Sequence, residues 1–142
     1  MIVSNVVSAT TRFNQDVGAR TKFLRRAVLL LSEARSQQER GVLDAAVEEG
    51  YRAALRTAGA LVANSSVSRR RRLPSSAWDQ LSLVDAECAC WAARLSRYSG
   101  LRNRAMCVTG FLDGAVVDKF LNEVGEFIDV AERREGILRS AA

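Results

Sequence analysis

Histidine is absent from all 142 residues, which removes the side chain that most often serves as a general base near neutral pH. Proline occurs once, at Pro74, and cysteine three times, at Cys88, Cys90 and Cys107. With so little proline, long stretches are free to be helical. Three irregularly spaced cysteines make a poor disulfide framework and read as reduced thiols. Cys88 and Cys90 are two apart, so on a helix they point to different sides, and no histidine exists to complete a site with either; neither metal nor cofactor is expected. A phosphate loop of the Walker type is missing too, because Gly110 and Gly114 have neither its spacing nor its lysine. The longest aliphatic run, Ala27–Leu31, is far too short to span a bilayer, and the polar start of the chain (Ser4, Asn5, Ser8, Thr10, Thr11) lacks a signal peptide's apolar stretch. A cytoplasmic protein with no membrane contact is expected.

Lysine is nearly absent as well: of the 21 basic residues 19 are arginine, set against 16 acidic residues for a formal net charge of +5. That balance permits attraction to nucleic acid or other polyanions without demanding it, since an arginine bias beside abundant alanine and valine can also follow codon composition. The length fits one domain able to bury about two-thirds of its unfolded surface. Residues 13–139 are assigned to a single helical bundle and residues 1–12 to a mobile tail.

What is present is helical periodicity. Phe23, Leu24, Ala27, Val28, Leu31 and Ala34 form an apolar stripe that predicts a helix over 21–37. Gly41 breaks it, and a second, alanine-rich helix follows from Val42 to Val62, with Gly50 and Gly59 allowing close approach of a neighbour. Glu48 precedes Arg52 by four residues, the orientation of a surface ion pair. Ala45, Ala53 and Ala60 would widen the apolar face of this helix beyond what a four-helix core needs, and so offer a twofold interface. Arg69-Arg70-Arg71-Arg72-Leu73-Pro74 is a loop, and Ser76-Ala77-Trp78-Asp79 has the form of a capping box opening a third helix. Trp78, Leu81, Val84, Cys88, Trp91, Ala92, Leu95 and Tyr98 carry that helix to about Ser99, with Gly100 as its stop and a mixed segment to Leu112. Asp113 caps the last helix, whose buried face is Val116, Val117, Phe120, Leu121, Val124, Phe127, Ile128 and Ala131. The fold class is all-α, an up-and-down antiparallel bundle of four to five helices.

The alanine-rich second helix with Tyr51-Arg52-Ala53-Ala54-Leu55-Arg56, the Arg69–Pro74 run, Ser76-Ala77-Trp78 and the closing Glu126-Phe127-Ile128-Asp129-Val130-Ala131-Glu132 together resemble a small actinobacterial branch of the HEPN superfamily, over residues 20–134. The resemblance implies a bundle of four or five helices that commonly forms a homodimer. Catalytic HEPN members are ribonucleases that use an arginine followed, after four to six intervening residues, by a histidine. The windows opened here by Arg94, Arg97, Arg102 and Arg104 hold no histidine, so the fold is carried over and the activity is not.

Other chemistry fares no better. Glu48, Glu49, Asp79, Asp85 and Glu87 read as solvated carboxylates, and Cys88 or Cys107 lacks a base to generate a thiolate. Trp78, Trp91 and Tyr98 read as core residues. The sharpest functional candidate is Arg69, Arg70, Arg71 and Arg72, whose guanidinium groups can neutralise backbone phosphates. Against it stands a solvated loop with no interleaved aromatics. Arg52 and Arg56 share a face of the second helix and Arg94 and Arg97 lie three apart on the third; if those faces adjoin, a basic groove extends the loop. The expected function is a non-catalytic, dimeric binding or adaptor module contacting RNA, DNA or a nucleotide. The alternative is a protein-interaction subunit that docks through an apolar helix face and has no nucleic-acid role.

Overall fold

A glycine turn sets the geometry of the molecule. Gly41 adopts φ +79°, in the left-handed region that a residue without a Cβ enters freely. Its N–H donates to the Gln38 carbonyl at 3.0 Å and that of Val42 to Gln37 at 2.9 Å. These bonds close the end of α1 (Ser4–Glu39) and send the chain back along it as α2 (Leu43–Ala63). The computed structural model describes the backbone of residues 4–107 and 110–141 and the side chains of 21–107 and 110–136. Of the tail expected over residues 1–12, the first three lie outside the described residues, and from Ser4 the backbone is that of α1.

The last helix, α6 (Gly114–Ala141), runs antiparallel to α1: Arg35 pairs with Asp118 near one end and Thr21 donates to Glu135 near the other. Its start is fixed by Asp113, whose side chain accepts from the Ala115 N–H at 2.9 Å. Between α2 and α6 the chain forms a 3-10 turn (Ser66–Arg69), α3 (Ala77–Ser82), α4 (Ala86–Ser96) and α5 (Ser99–Ala105). Asp85 near Arg134, Trp91 against Phe127 and Tyr98 against Phe120 place α4 antiparallel to α6. The result is the expected all-helical up-and-down bundle, with its third position divided among three short helices.

That division corrects the single third helix expected from the periodicity. Ser76 does cap α3, accepting from the Asp79 N–H at 3.4 Å. Asp85 then breaks the run: its extended backbone (φ −168°) and its side chain, which accepts from the Cys88 N–H at 2.9 Å, start α4 afresh. Gly100, read as a stop, lies inside α5.

Phe120, Leu121, Val124 and Phe127 on α6 are fully buried in one core cluster with Val47, Leu81 and Leu95. Removing either phenylalanine side chain would cost about 3–5 kcal/mol. At Gly50 α2 comes close to α6, for a Cβ there would lie 2.5 Å from Leu121 Cδ2 and 3.0 Å from the Phe120 ring. Two expectations about exposed faces change. Ala53 and Ala60 are buried within the bundle and Ala45 is half-buried, because α2 is the central helix and packs on α1, α3, α5 and α6. On α1 the buried stripe is Leu24, Ala27, Leu30 and Ala34, and Val28 is 44% exposed, since α2 and α6 cover a narrower sector than the periodicity allowed. Val116 is likewise exposed on the first turn of α6.

Candidate anion-binding groove

Three helices bring four arginines to one concave surface. Phe23, Arg26 and Leu30 recur at three- and four-residue spacing on α1, as Arg52, Leu55 and Arg56 do on α2, so each set shares one face of its helix. With Arg102 of α5 they line a groove of about 560 Å³. That volume lies within the range of small-ligand sites.

The groove is built on a stack that reaches into the core. Trp78 Nε1 donates to the Tyr51 hydroxyl at 2.9 Å, and the Tyr51 ring stacks on Phe120 with centroids 6.4 Å apart. The Arg102 guanidinium lies 4.7 Å from the centroid of the same Tyr51 ring. Arg102 Nε and Nη2 each donate to a different oxygen of Glu48 at 3.0 Å. The hydrogen bond from Arg102 is the main reason the Glu48 carboxyl is held below the usual carboxylate range. Glu48 also lies 3.5 Å from Arg52 Nε, the i,i+4 pair expected from the sequence. At the other end of the groove Arg56 stands over the Phe23 ring at 5.9 Å.

The remaining predicted site residues lie elsewhere. Arg69, Arg70, Arg71 and Arg72 are exposed, and none has an ion pair among the described residues. The loop is tethered at its start, where Ser65 accepts from the Val67 N–H and Val67 is buried. Arg94 stacks on Trp91 at 4.1 Å and pairs with Glu123 at 3.7 Å and Glu126 at 3.6 Å, so it faces α6. Arg97 is exposed beyond the end of α4. The basic surface that Arg94 and Arg97 were expected to join therefore consists of Arg26, Arg52, Arg56 and Arg102 instead.

The sequence predicts solvated carboxylates and inert thiols. Glu48 and Glu49 are in fact half-buried, and burial, followed by the neighbouring Glu33, pushes the Glu49 carboxyl up while one of its oxygens has no hydrogen-bond partner. Cys88 is buried, and desolvation above all pushes its thiol up to about 12, far from a reactive thiolate. Among the described residues no cluster of three or more histidine, cysteine, aspartate or glutamate side chains could hold a metal ion, and no helix is long and apolar enough to cross a membrane.

A family model described as HEPN_SAV_6107-like HEPN matches residues 32–132, which takes in the C-terminal end of α1, all of α2 to α5 and most of α6. No curated protein and no solved structure matches the chain.

Proposed function

The chain belongs to the SAV_6107-like HEPN family, and from that premise we propose that it is a non-catalytic binding module that contacts single-stranded nucleic acid through the arginine groove. The observation that carries this reading is the convergence of Arg26, Arg52, Arg56 and Arg102 on one groove with an aromatic wall at Phe23. Guanidinium groups bind phosphate oxygens through paired N–H donors, and an aromatic face accepts a base of any sequence. A groove of about 560 Å³ suits a nucleotide unit splayed from a single strand better than the broad surface of a duplex. The Arg69–Arg72 loop adds exposed charge that attracts the same polyanion at longer range. The absence of histidine and the raised Cys88 thiol support a module that binds without cleaving.

The test is fluorescence anisotropy of a labelled single-stranded RNA at about 50 and 200 mM salt. Micromolar binding that weakens steeply with salt, and that Arg52→Ala with Arg102→Ala abolishes, is the expected result. Binding insensitive to that double substitution would remove the groove from the account. No binding at low salt would favour the protein-interaction subunit instead.

A separate observation favours a homodimer. Val28 and Leu29 are 44% and 53% exposed on α1, and Val28 borders a groove of about 450 Å³ between α1 and α6 that also includes Leu31, Gly125 and Ile128. Arg25 and Glu33, both exposed, lie four residues either side of Leu29. In a twofold antiparallel pairing centred on Leu29, Arg25 of each copy faces Glu33 of the other, which makes the surface self-complementary. Sedimentation of the full chain should give a dimer that Leu29→Asp converts to a folded monomer. A wild-type monomer at high micromolar concentration contradicts this pairing.

A further inference from the structure

We propose that Glu48 is the positioning residue of the arginine groove: it holds the plane of Arg102 so that the free edge of the guanidinium is presented to a phosphate. The inference rests on the groove being the anion site. Two roles are open to a carboxylate among four arginines, and they differ in sign. As a plain counter-charge, Glu48 would weaken anion binding by cancelling one positive charge. As a positioning residue, it would strengthen binding by fixing a donor pair in advance.

The geometry favours the second role. A guanidinium is planar and carries five N–H donors in a rigid fork. Glu48 accepts from Nε and from Nη2, each at 3.0 Å, and so occupies one edge of Arg102. The adjacent edge, formed by Nη1 and the second Nη2 hydrogen, keeps the paired donors that match two phosphate oxygens. Arg102 lines the groove, and its flat face is backed at 4.7 Å by Tyr51. Tyr51 in turn is held by the 2.9 Å bond from Trp78 and by Phe120 in the core. The guanidinium therefore has its face fixed by the buried Tyr51 ring and one edge fixed by the half-buried Glu48 carboxylate, leaving less freedom to lose when an anion arrives. Arg52, 3.5 Å from the same carboxylate, is drawn to the same point of the groove.

The experiment compares wild type, Glu48→Gln, Glu48→Ala and Arg102→Lys by anisotropy with one labelled single-stranded RNA at fixed salt, each variant first checked for a cooperative melt. Glu48→Gln keeps the shape of the side chain, so it remains informative if the alanine variant fails to fold. Positioning predicts weaker binding for both Glu48 variants, about 10-fold, although each raises the net charge by one. It also predicts a comparable loss for Arg102→Lys, which keeps the charge and loses the fork. Tighter or unchanged binding by Glu48→Gln overturns the role given to Glu48 and leaves the groove standing. A wild type that does not bind, or that binds equally well without Arg52 and Arg102, overturns the groove reading and this inference with it.

Discussion

The two arginine-rich regions of this molecule differ in what surrounds each guanidinium. On the Arg69–Arg72 loop four adjacent cations stand in water with no ion pair among the described residues. In the groove Arg102 is clamped by Glu48 and Tyr51, and Arg56 stands over Phe23. Flexible exposed charges supply attraction that salt screens over about 8–10 Å, whereas fixed donors supply geometry. Density of arginine in the sequence is thus a poor guide to where binding is organised. The loop is dense in guanidinium groups that make no ion pair among the described residues; the groove gathers four arginines from three helices.

The largest expected effect separates the two directly. Replacing Arg52 and Arg102 by alanine should lower affinity for single-stranded RNA about 100-fold, equivalent to about 2.7 kcal/mol. A smaller loss than the loop substitution causes would reverse the ranking of the regions. Next comes a third kind of arginine, one that serves the fold. Arg134 bonds Asp85 at 2.6 Å and Glu87 at 3.1 Å, joining the start of α4 to α6. Because these side chains are 30–56% exposed, water screens the pairs, and Arg134→Ala should cost about 1–2 kcal/mol in urea unfolding. RNA affinity should be unchanged in that variant. A loss of affinity without a loss of stability would move Arg134 into the binding class.

The same pair sets an acid dependence. The Arg134 hydrogen bond, and then the Cys88 backbone N–H, lowers the Asp85 carboxyl to about 2. An unfolded aspartate titrates at about 3.9, so this contribution is fully present above that pH and is lost as pH falls towards 2. The unfolding free energy of wild type should therefore fall over that interval more steeply than that of Arg134→Ala; parallel slopes would contradict the assignment. The smallest effect is expected from replacing Arg69 to Arg72 by alanine. Stability should change by less than about 0.5 kcal/mol, as for other surface substitutions. Affinity should drop a few-fold, with a shallower dependence on salt.

Much of the fold is legible in the sequence where the controlling contacts are local. Gly41 ends α1 through bonds to residues three and five positions back, Ser76 caps α3 and Asp113 caps α6, and all three are visible in short windows. The break at Asp85 is not, because Leu81, Val84 and Cys88 continue the helical period straight across it. Neither is the inward turn of Ala53 and Ala60, which depends on how many helices surround α2. The site divides in the same way. Arg52 and Arg56 share a helix face and are readable as a pair, as is the Glu48–Arg52 contact. Arg102 is visible in the sequence only as a residue that could open a ribonuclease motif, for its partner Glu48 lies 54 residues away. Arg94, three residues from Arg97 on the sequence, is turned to α6 by Glu123 and Glu126, which no local pattern reveals.

The measurement closest to the central claim is the affinity of labelled single-stranded RNA for three proteins at about 50 mM salt: wild type, the Arg52→Ala/Arg102→Ala variant and the variant with Arg69 to Arg72 replaced by alanine. Binding that survives the loop substitution within a few-fold and collapses with the groove substitution is the predicted result. Binding that survives the groove substitution, or a wild type that does not bind at all, would contradict it.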